Sequence, residues 1–204
     1  MEYTIGQIAI AVFAITGVLA ASNKVNDIFG LVVLGVVTAL GGGTIRDITL
    51  NVTIFWIDDF NYVWVAVATS VTAFWVYRFF RSTYRLLLYL DAIGVALFSI
   101  QAIDKSFALG HIAPFAVIMG LFTSIGGGII RDVLSARPNL LMRTEFYATP
   151  ILVGCVCYTT LIFLFPSFDY SGIISMGIIF ALRSASIYFG LSMPDCLVIK
   201  PSSK

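Results

Sequence analysis

The stretch that decides the fold is Gly35-Val-Val-Thr-Ala-Leu-Gly-Gly-Gly-Thr-Ile-Arg-Asp-Ile48, and the chain repeats it as Gly120-Leu-Phe-Thr-Ser-Ile-Gly-Gly-Gly-Ile-Ile-Arg-Asp-Val133. The two stretches align without gaps, and eight of the fourteen positions are identical. We call the separation between Gly35 and Gly120 along the chain the repeat offset. The same offset joins Tyr62 to Tyr147, so the internal repeat extends beyond the glycine-rich pattern.

The composition around this repeat is that of a membrane protein. Of the 204 residues, 59% are hydrophobic and 11% are charged. A soluble domain carries about 25% charged and 45–50% apolar residues, so a water-soluble core could not bury this much apolar surface. The net charge of +1 excludes a strongly basic nucleic-acid binder. No enzyme constellation or metal-ligand cluster is recognisable, and we expect neither catalysis nor a cofactor.

Apolar runs of near-spanning length predict an all-α integral membrane protein with seven transmembrane helices in one domain. The first repeat covers about 5–80, the second about 86–165, and the seventh helix about 170–191. The predicted spans are Ile5–Ser22, Ile28–Ile45, Phe60–Tyr77, Leu86–Ile103, Ile112–Ile130, Phe146–Phe165 and Tyr170–Leu191.

Three spans in each repeat have a topological consequence. Because the number is odd, the second copy enters the membrane from the opposite side, which predicts inverted repeats. The first and fourth spans align more weakly, through Gly17 and Gly94. One side of the membrane carries two basic residues, Arg46 and Lys105, and the other carries nine, which predicts an outside N-terminus and a cytoplasmic C-terminus. The nine are Lys24, Arg78, Arg81, Arg85, Arg131, Arg137, Arg143, Lys200 and Lys204.

The glycine triplets are the first candidate site residues. Each glycine weakens a helix by about 1 kcal/mol relative to alanine. A matched pair of glycine-interrupted spans in two inverted halves is typical of a substrate or ion path, whereas close packing of helices is the structural alternative. We therefore expect the second and fifth spans to be broken or sharply bent at their triplets. These glycines are Gly41, Gly42, Gly43, Gly126, Gly127 and Gly128.

The charges that follow the triplets are the second set of candidates. Arg46-Asp47 and Arg131-Asp132 begin three residues beyond the last glycine of each triplet. Charges in a membrane are costly and usually line a cavity or form pairs, although side chains at a span's end can also reach the interface. Adjacent helix residues do not face each other, so we expect each aspartate to be a poor partner for its own arginine. The hypothesis is that both arginines face a water-filled path.

Polar residues elsewhere in the spans complete the candidates. Thr38, Thr123 and Ser124 could offer hydroxyls to a permeating ion. Asp91 lies within the fourth span, where it could attract cations or hold an arginine in place. Arg183 lies near the middle of the seventh span, and we expect it to tie that helix to a carboxylate or to backbone carbonyls.

At these repeats the sequence resembles a prokaryotic member of the trimeric intracellular cation channel family, TRIC. The resemblance implies a homotrimer with a pore in each subunit, framed by second and fifth helices that kink at the glycine triplets. It implies conduction of potassium and other monovalent cations such as sodium, with Arg46 and Arg131 as pore-lining or gating charges. The stretches that carry it are Ala39-Leu-Gly-Gly-Gly-Thr-Ile-Arg-Asp47, Ser124-Ile-Gly-Gly-Gly-Ile-Ile-Arg-Asp132, Leu90-Asp-Ala-Ile-Gly94 and Arg143-Thr-Glu-Phe-Tyr-Ala148.

Two functions fit this architecture. A cation channel of a prokaryotic inner membrane needs a continuous wet path with weak sites. A secondary transporter of a small amino acid such as glycine needs a closed midplane site with alternating access, and Arg-Asp pairs could hold its carboxylate and ammonium groups. Related bacterial sequences are also grouped as glycine transporters. The resemblance favours the channel.

Overall fold

The computed structural model describes residues 2–21, 27–79, 84–142 and 146–192. Lys24, Arg81, Arg143, Lys200 and Lys204, on which the predicted orientation depends, lie outside the described residues. The side chain of Arg78 does so too. The described helices are α1 (Glu2–Ala21), α2 (Ile28–Thr49), α3 (Phe55–Asp58), α4 (Asn61–Phe79), α5 (Tyr84–Ala108), α6 (Ala113–Leu134), α7 (Ala148–Leu164) and α8 (Ser171–Phe189), with a 3-10 turn at Leu140–Met142.

The predicted all-α membrane architecture is confirmed at the level of the helices. Among the described residues, α1, α2, α5, α6 and α8 are long and apolar enough to cross a membrane. α7 is apolar but has only 17 residues, and α4 is not among the five. The short helix α3 lies in a segment that the sequence had indicated only as a connection.

The helices that carry the glycine triplets end later than predicted. α2 continues to Thr49 and α6 to Leu134, so both arginine–aspartate pairs lie within the last helical turn. Each helix then ends in the same way, at a non-glycine residue with positive φ. These residues are Asn51 (φ 53°) and Ala136 (φ 48°), which are themselves separated by the repeat offset. The repeat is therefore visible in the backbone as well as in the sequence.

Of the two distortions expected at the triplets, the break is wrong, and the sharp bend stays a prediction. α2 and α6 are each one uninterrupted α-helix through their three glycines. The reason is their mutual packing: a Cβ on Gly42 would lie 2.3 Å from the carbonyl oxygen of Thr123, and one on Gly127 would lie 2.7 Å from that of Thr38. The central glycines allow the two backbones to touch, as small residues do between helices in lipid.

The flanking contacts give the relative direction of α2 and α6. The space beside Gly41 is filled by Ile130, and the space beside Gly126 by Ile45. Residue numbers rise along one helix as they fall along the other, so the helices are antiparallel. Their C-terminal turns, with the arginine–aspartate pairs, therefore lie at opposite ends of the crossing.

α1 and α5 pack beside this crossing and form much of the hydrophobic core. The rings of Phe13 on α1 and Phe98 on α5 are 5.3 Å apart, centroid to centroid, and both side chains are buried. These residues are also separated by the repeat offset. α1 and α5 are thus related in the same way as α2 and α6, and the weaker alignment through Gly17 and Gly94 is not the one that the structure favours.

The backbone contact predicts that Gly42→Ala is destabilising. The added methyl would overlap the Thr123 carbonyl, which is backbone and cannot rotate away. We expect a loss of about 1–3 kcal/mol of unfolding free energy, against a gain in helix propensity of about 1 kcal/mol. Gly177→Ala in α8 is the matched control, because nothing lies within 4 Å of its added Cβ. Equal unfolding midpoints for the two variants in detergent would contradict this account.

Candidate functional site

The first arginine–aspartate pair lies in the last turn of α2. Asp47 is fully buried, and its Oδ1 accepts a hydrogen bond from Nε of Arg46 at 2.7 Å. Its Oδ2 accepts one from the backbone N–H of Phe55, the first residue of α3, at 2.8 Å. Asp47 therefore links the end of α2 to the start of α3.

The second pair has the same geometry at the end of α6. Oδ1 of Asp132 accepts a hydrogen bond from Nε of Arg131 at 2.9 Å, and Oδ2 accepts one from the backbone N–H of Leu140 at 3.0 Å. Leu140 is the counterpart of Phe55, the donor in the first copy, at the repeat offset. The repeat therefore reproduces a complete tertiary contact.

The expectation that each aspartate is a poor partner for its own arginine is wrong. The spacing rule describes side chains that project straight outward from a helix. Arg46 and Arg131 are buried, and each bends around the helix surface so that Nε meets the neighbouring carboxylate. An unpaired buried cation costs several kcal/mol, which makes this bent conformation favourable.

A carboxylate from α5 joins the second pair, and we call Arg131, Asp132 and Asp91 the second cluster. Nη1 of Arg131 donates to Oδ1 of Asp91 at 2.7 Å, and both side chains are fully buried. Of the two roles considered for Asp91, holding an arginine in place is the one observed. Nη2 of Arg131 has no hydrogen-bond partner within the described part of the chain.

Arg183 joins α8 to the same region. Its Nη1 donates to the backbone carbonyl of Phe146 at 2.9 Å, and its guanidinium lies 4.5 Å from the centroid of the Tyr147 ring. The expected tie to a backbone carbonyl is confirmed. The sequence had indicated Tyr147 only as a repeat of Tyr62, whereas the structure places its hydroxyl beside Gly128 and the Asp91–Arg131 pair.

Lys105 joins the first pair, and the sequence had not indicated this contact. We call Arg46, Asp47 and Lys105 the first cluster. Nζ of Lys105, at the end of α5, lies 2.8 Å from Oδ1 of Asp47, so one carboxylate oxygen binds two cations. Lys105 had been counted only as a loop charge, and the repeat carried no signal because its counterpart in the first copy is Ala20.

A cavity of about 390 Å³ opens beside this first cluster. Its walls come from the start of α1, the ends of α2 and α5, and the α3–α4 region. The lining residues are Tyr3, Gly6, Ile10, Arg46, Phe55, Tyr62, Phe98, Gln101, Asp104, Lys105 and Ala108.

The predicted hydroxyl ligands lie at the α2–α6 crossing and are buried. Thr38 donates to the carbonyl of Leu34, and Ser124 donates to that of Leu121, each within its own helix. The hydroxyl of Thr123 has no hydrogen-bond partner among the described residues. All three hydroxyl oxygens keep lone pairs that can accept a further bond.

Comparison with known proteins identifies the family. A family model described as "Glycine transporter" matches the chain twice, over residues 3–78 and 88–162. A UPF0126 membrane protein of Vibrio cholerae is 40% identical, covering 97% of this chain and 84% of that protein. The inner membrane protein YadS of Escherichia coli is 38% identical, with 95% of each chain covered. The starts of the two matches to one model are separated by the repeat offset.

Solved structures give the functional relatives. The TRIC trimeric intracellular cation channel orthologue from Rhodobacter sphaeroides is 34% identical and superposes with a TM-score of 0.89, covering 93% of this chain and 98% of that one. The chain belongs to the TRIC channel family. A prokaryotic TRIC channel crystallised in 0.5 M KCl is 28% identical with a TM-score of 0.86, covering 94% of this chain and 98% of that one. These relatives are channels and membrane proteins rather than enzymes, and this TRIC homologue is likewise a multi-pass membrane protein.

The unequal surroundings of the two arginines predict unequal costs of mutation. Arg131→Gln removes the cation from two buried carboxylates, and we expect a loss of about 3–5 kcal/mol of unfolding free energy. Arg46→Gln should cost less, because Asp47 keeps its bonds to Lys105 and to the Phe55 N–H, and because Arg46 itself lines a cavity. Denaturant titration in detergent measures both. Equal losses of unfolding free energy would contradict the expectation that Asp91 and Asp132 depend on Arg131 more than Asp47 depends on Arg46.

Proposed function

We propose that this TRIC homologue is a monovalent cation channel of the bacterial inner membrane that conducts potassium. The observation that carries the proposal is the likeness to a prokaryotic TRIC channel at 34% identity and a TM-score of 0.89. The proposed assembly is a homotrimer with a pore in each subunit. In this proposal α4 and α7 also span the bilayer, which gives seven spans in two inverted repeats plus α8, with the N-terminus outside.

The conduction path of the proposal follows the α2–α6 crossing. The hydroxyls of Thr38, Thr123 and Ser124 lie at the middle, and the clusters of Arg46 and Arg131 lie at opposite ends. Such a path uses hydroxyls, carbonyls and carboxylates as weak cation sites. Two positive side chains do not exclude cations from it, because each guanidinium binds at least one carboxylate.

Within this proposal Arg131 is the gate. Its guanidinium bridges Asp132 on its own helix and Asp91 on α5, so it ties α6 to α5 across the path. Opening requires the contact with Asp91 to separate, which would expose a carboxylate to a passing cation. Arg46 makes no equivalent contact with a carboxylate of another helix within the described residues, and a cavity opens beside it.

Planar-bilayer recording tests conduction directly. Purified protein should give resolvable single-channel steps, with a reversal potential that follows the potassium gradient when chloride is the only anion. Replacing potassium by sodium on one side measures the preference between the two. If currents are absent while proteoliposomes accumulate labelled glycine, the protein is the alternative transporter and the channel proposal is wrong.

Arg131→Lys tests the gate while keeping the charge. A lysine ammonium is a single point charge and cannot reproduce the planar guanidinium that binds two carboxylates at once. We expect a higher open probability, with single-channel conductance changed less. Arg46→Lys is the matched control, since it makes the same substitution at the equivalent position of the first copy, where the arginine binds only the carboxylate of its own helix among the described residues. An unchanged open probability in Arg131→Lys would remove Arg131 from gating.

A further inference from the structure

Arg46 lines the cavity with N–H groups that bind no other described residue. Arg46 is only 6% exposed, and its Nε is bound to Asp47. Its Nη1 and Nη2 have no hydrogen-bond partner within the described part of the chain, although the residue lines the cavity. The five N–H groups of a guanidinium form a planar fork that is suited to binding a carboxylate.

The second copy of the repeat shows what fills the equivalent space. There Nη1 of Arg131 binds the carboxylate of Asp91, beside the hydroxyl of Tyr147. At the repeat offset, the counterpart of Asp91 is Gly6, and the counterpart of Tyr147 is Tyr62. Gly6, Tyr62 and Arg46 all line the cavity.

Two independent observations support the equivalence of Gly6 and Asp91. The family model matches begin at residues 3 and 88, just before Gly6 and Asp91. The Phe13 and Phe98 rings, about two turns further along α1 and α5, pack against each other as equivalent residues near the crossing. The cavity therefore lies where the first copy lacks the carboxylate side chain that the second copy has.

We propose that this cavity binds a small carboxylate ligand, which meets Arg46 in the way that Asp91 meets Arg131. Lys105 supplies a second cation: its side chain is 30% exposed and its ammonium shares Asp47 with Arg46. Ile10, Phe55 and Phe98 give the cavity apolar walls. A volume of about 390 Å³ lies in the range of small-molecule sites, which is roughly 300–1,000 Å³.

Asp104 limits the kind of carboxylate that fits. It lies on the cavity wall and accepts a hydrogen bond from the hydroxyl of Tyr158. Its negative charge disfavours dicarboxylates, and it offers a partner to a ligand that also carries an ammonium group. Acetate and glycine are therefore the two probes: both present the carboxylate, and only glycine adds the ammonium.

The binding experiment uses the full-length protein in detergent and does not depend on conduction. Isothermal titration measures acetate and glycine, with ethylammonium chloride and sodium chloride at matched ionic strength as ligands that lack a carboxylate. We expect saturable binding of acetate, glycine or both, and none of the two controls. Arg46→Gln and Lys105→Gln should each weaken binding about tenfold or more. Arg85→Gln, the same change at an exposed residue of α5 that does not line the cavity, should have no effect.

Gly6→Asp is the sharper variant, because it would supply the missing carboxylate from the chain itself. An added Cβ meets Gln101 Nε2 at 3.0 Å and the Tyr62 hydroxyl at 3.2 Å, and both are ends of side chains that can shift. We expect Gly6→Asp to abolish binding of both probes. If that variant does not fold, the Arg46 and Lys105 variants still decide.

Three results would overturn the proposal. One is wild-type protein that binds neither carboxylate beyond the chloride control. Another is undiminished binding in Arg46→Gln, and the third is undiminished binding in a folded Gly6→Asp. Because the titration needs no current, a protein that binds carboxylates without conducting would contradict only the channel proposal.

Discussion

The close approach of the α2 and α6 backbones is the constraint on which the rest of the structure depends. Gly42 and Gly127 have no side chain at the crossing, and a methyl at either position would overlap a carbonyl of the other helix. Because the helices are antiparallel, the turns four residues beyond each glycine lie at opposite ends. Arg46 and Arg131 are therefore separated by the crossing itself. The triplets fix where the charges lie by allowing contact, without breaking either helix.

The sequence alone predicts the repeat, most helix positions and the equivalent residues of α2 and α6, because those depend on hydrophobic length and on a strong internal match. It misaligns α1 with α5, through Gly17 and Gly94, because the match between those two helices is weak. It fails where tertiary packing outweighs a local preference. Triple glycine lowers helix propensity, yet contact across the crossing keeps α2 and α6 continuous. It also fails for pairs such as Lys105–Asp47, since a long-range contact outside the repeated pattern leaves no trace in one sequence.

The two copies of the repeat share a backbone contact but differ in charge. Each aspartate binds its own arginine and the backbone N–H eight residues later. Asp91 then closes the second cluster, whereas Gly6 leaves space at the equivalent point of the first. The two copies therefore share one backbone arrangement, and single-residue differences leave the Arg131–Asp91 pair fully buried and a cavity beside Arg46. In the proposed channel, we expect the resistance to an ion to be concentrated at the Arg131 end.

The helix outside the repeat adds a second buried cation near the Arg131 end. Arg183 of α8 is 1% exposed, and its guanidinium lies over the Tyr147 ring, whose hydroxyl lies beside Gly128 and the Asp91–Arg131 pair. Its Nη1 donates to the backbone carbonyl of Phe146, which is one of the partners that charged side chains find inside a membrane. Tyr147 therefore lies between α8 and the second cluster, whereas its counterpart Tyr62 lines the cavity of the first copy. This difference follows from α8, because the described part of the first copy has no helix equivalent to it.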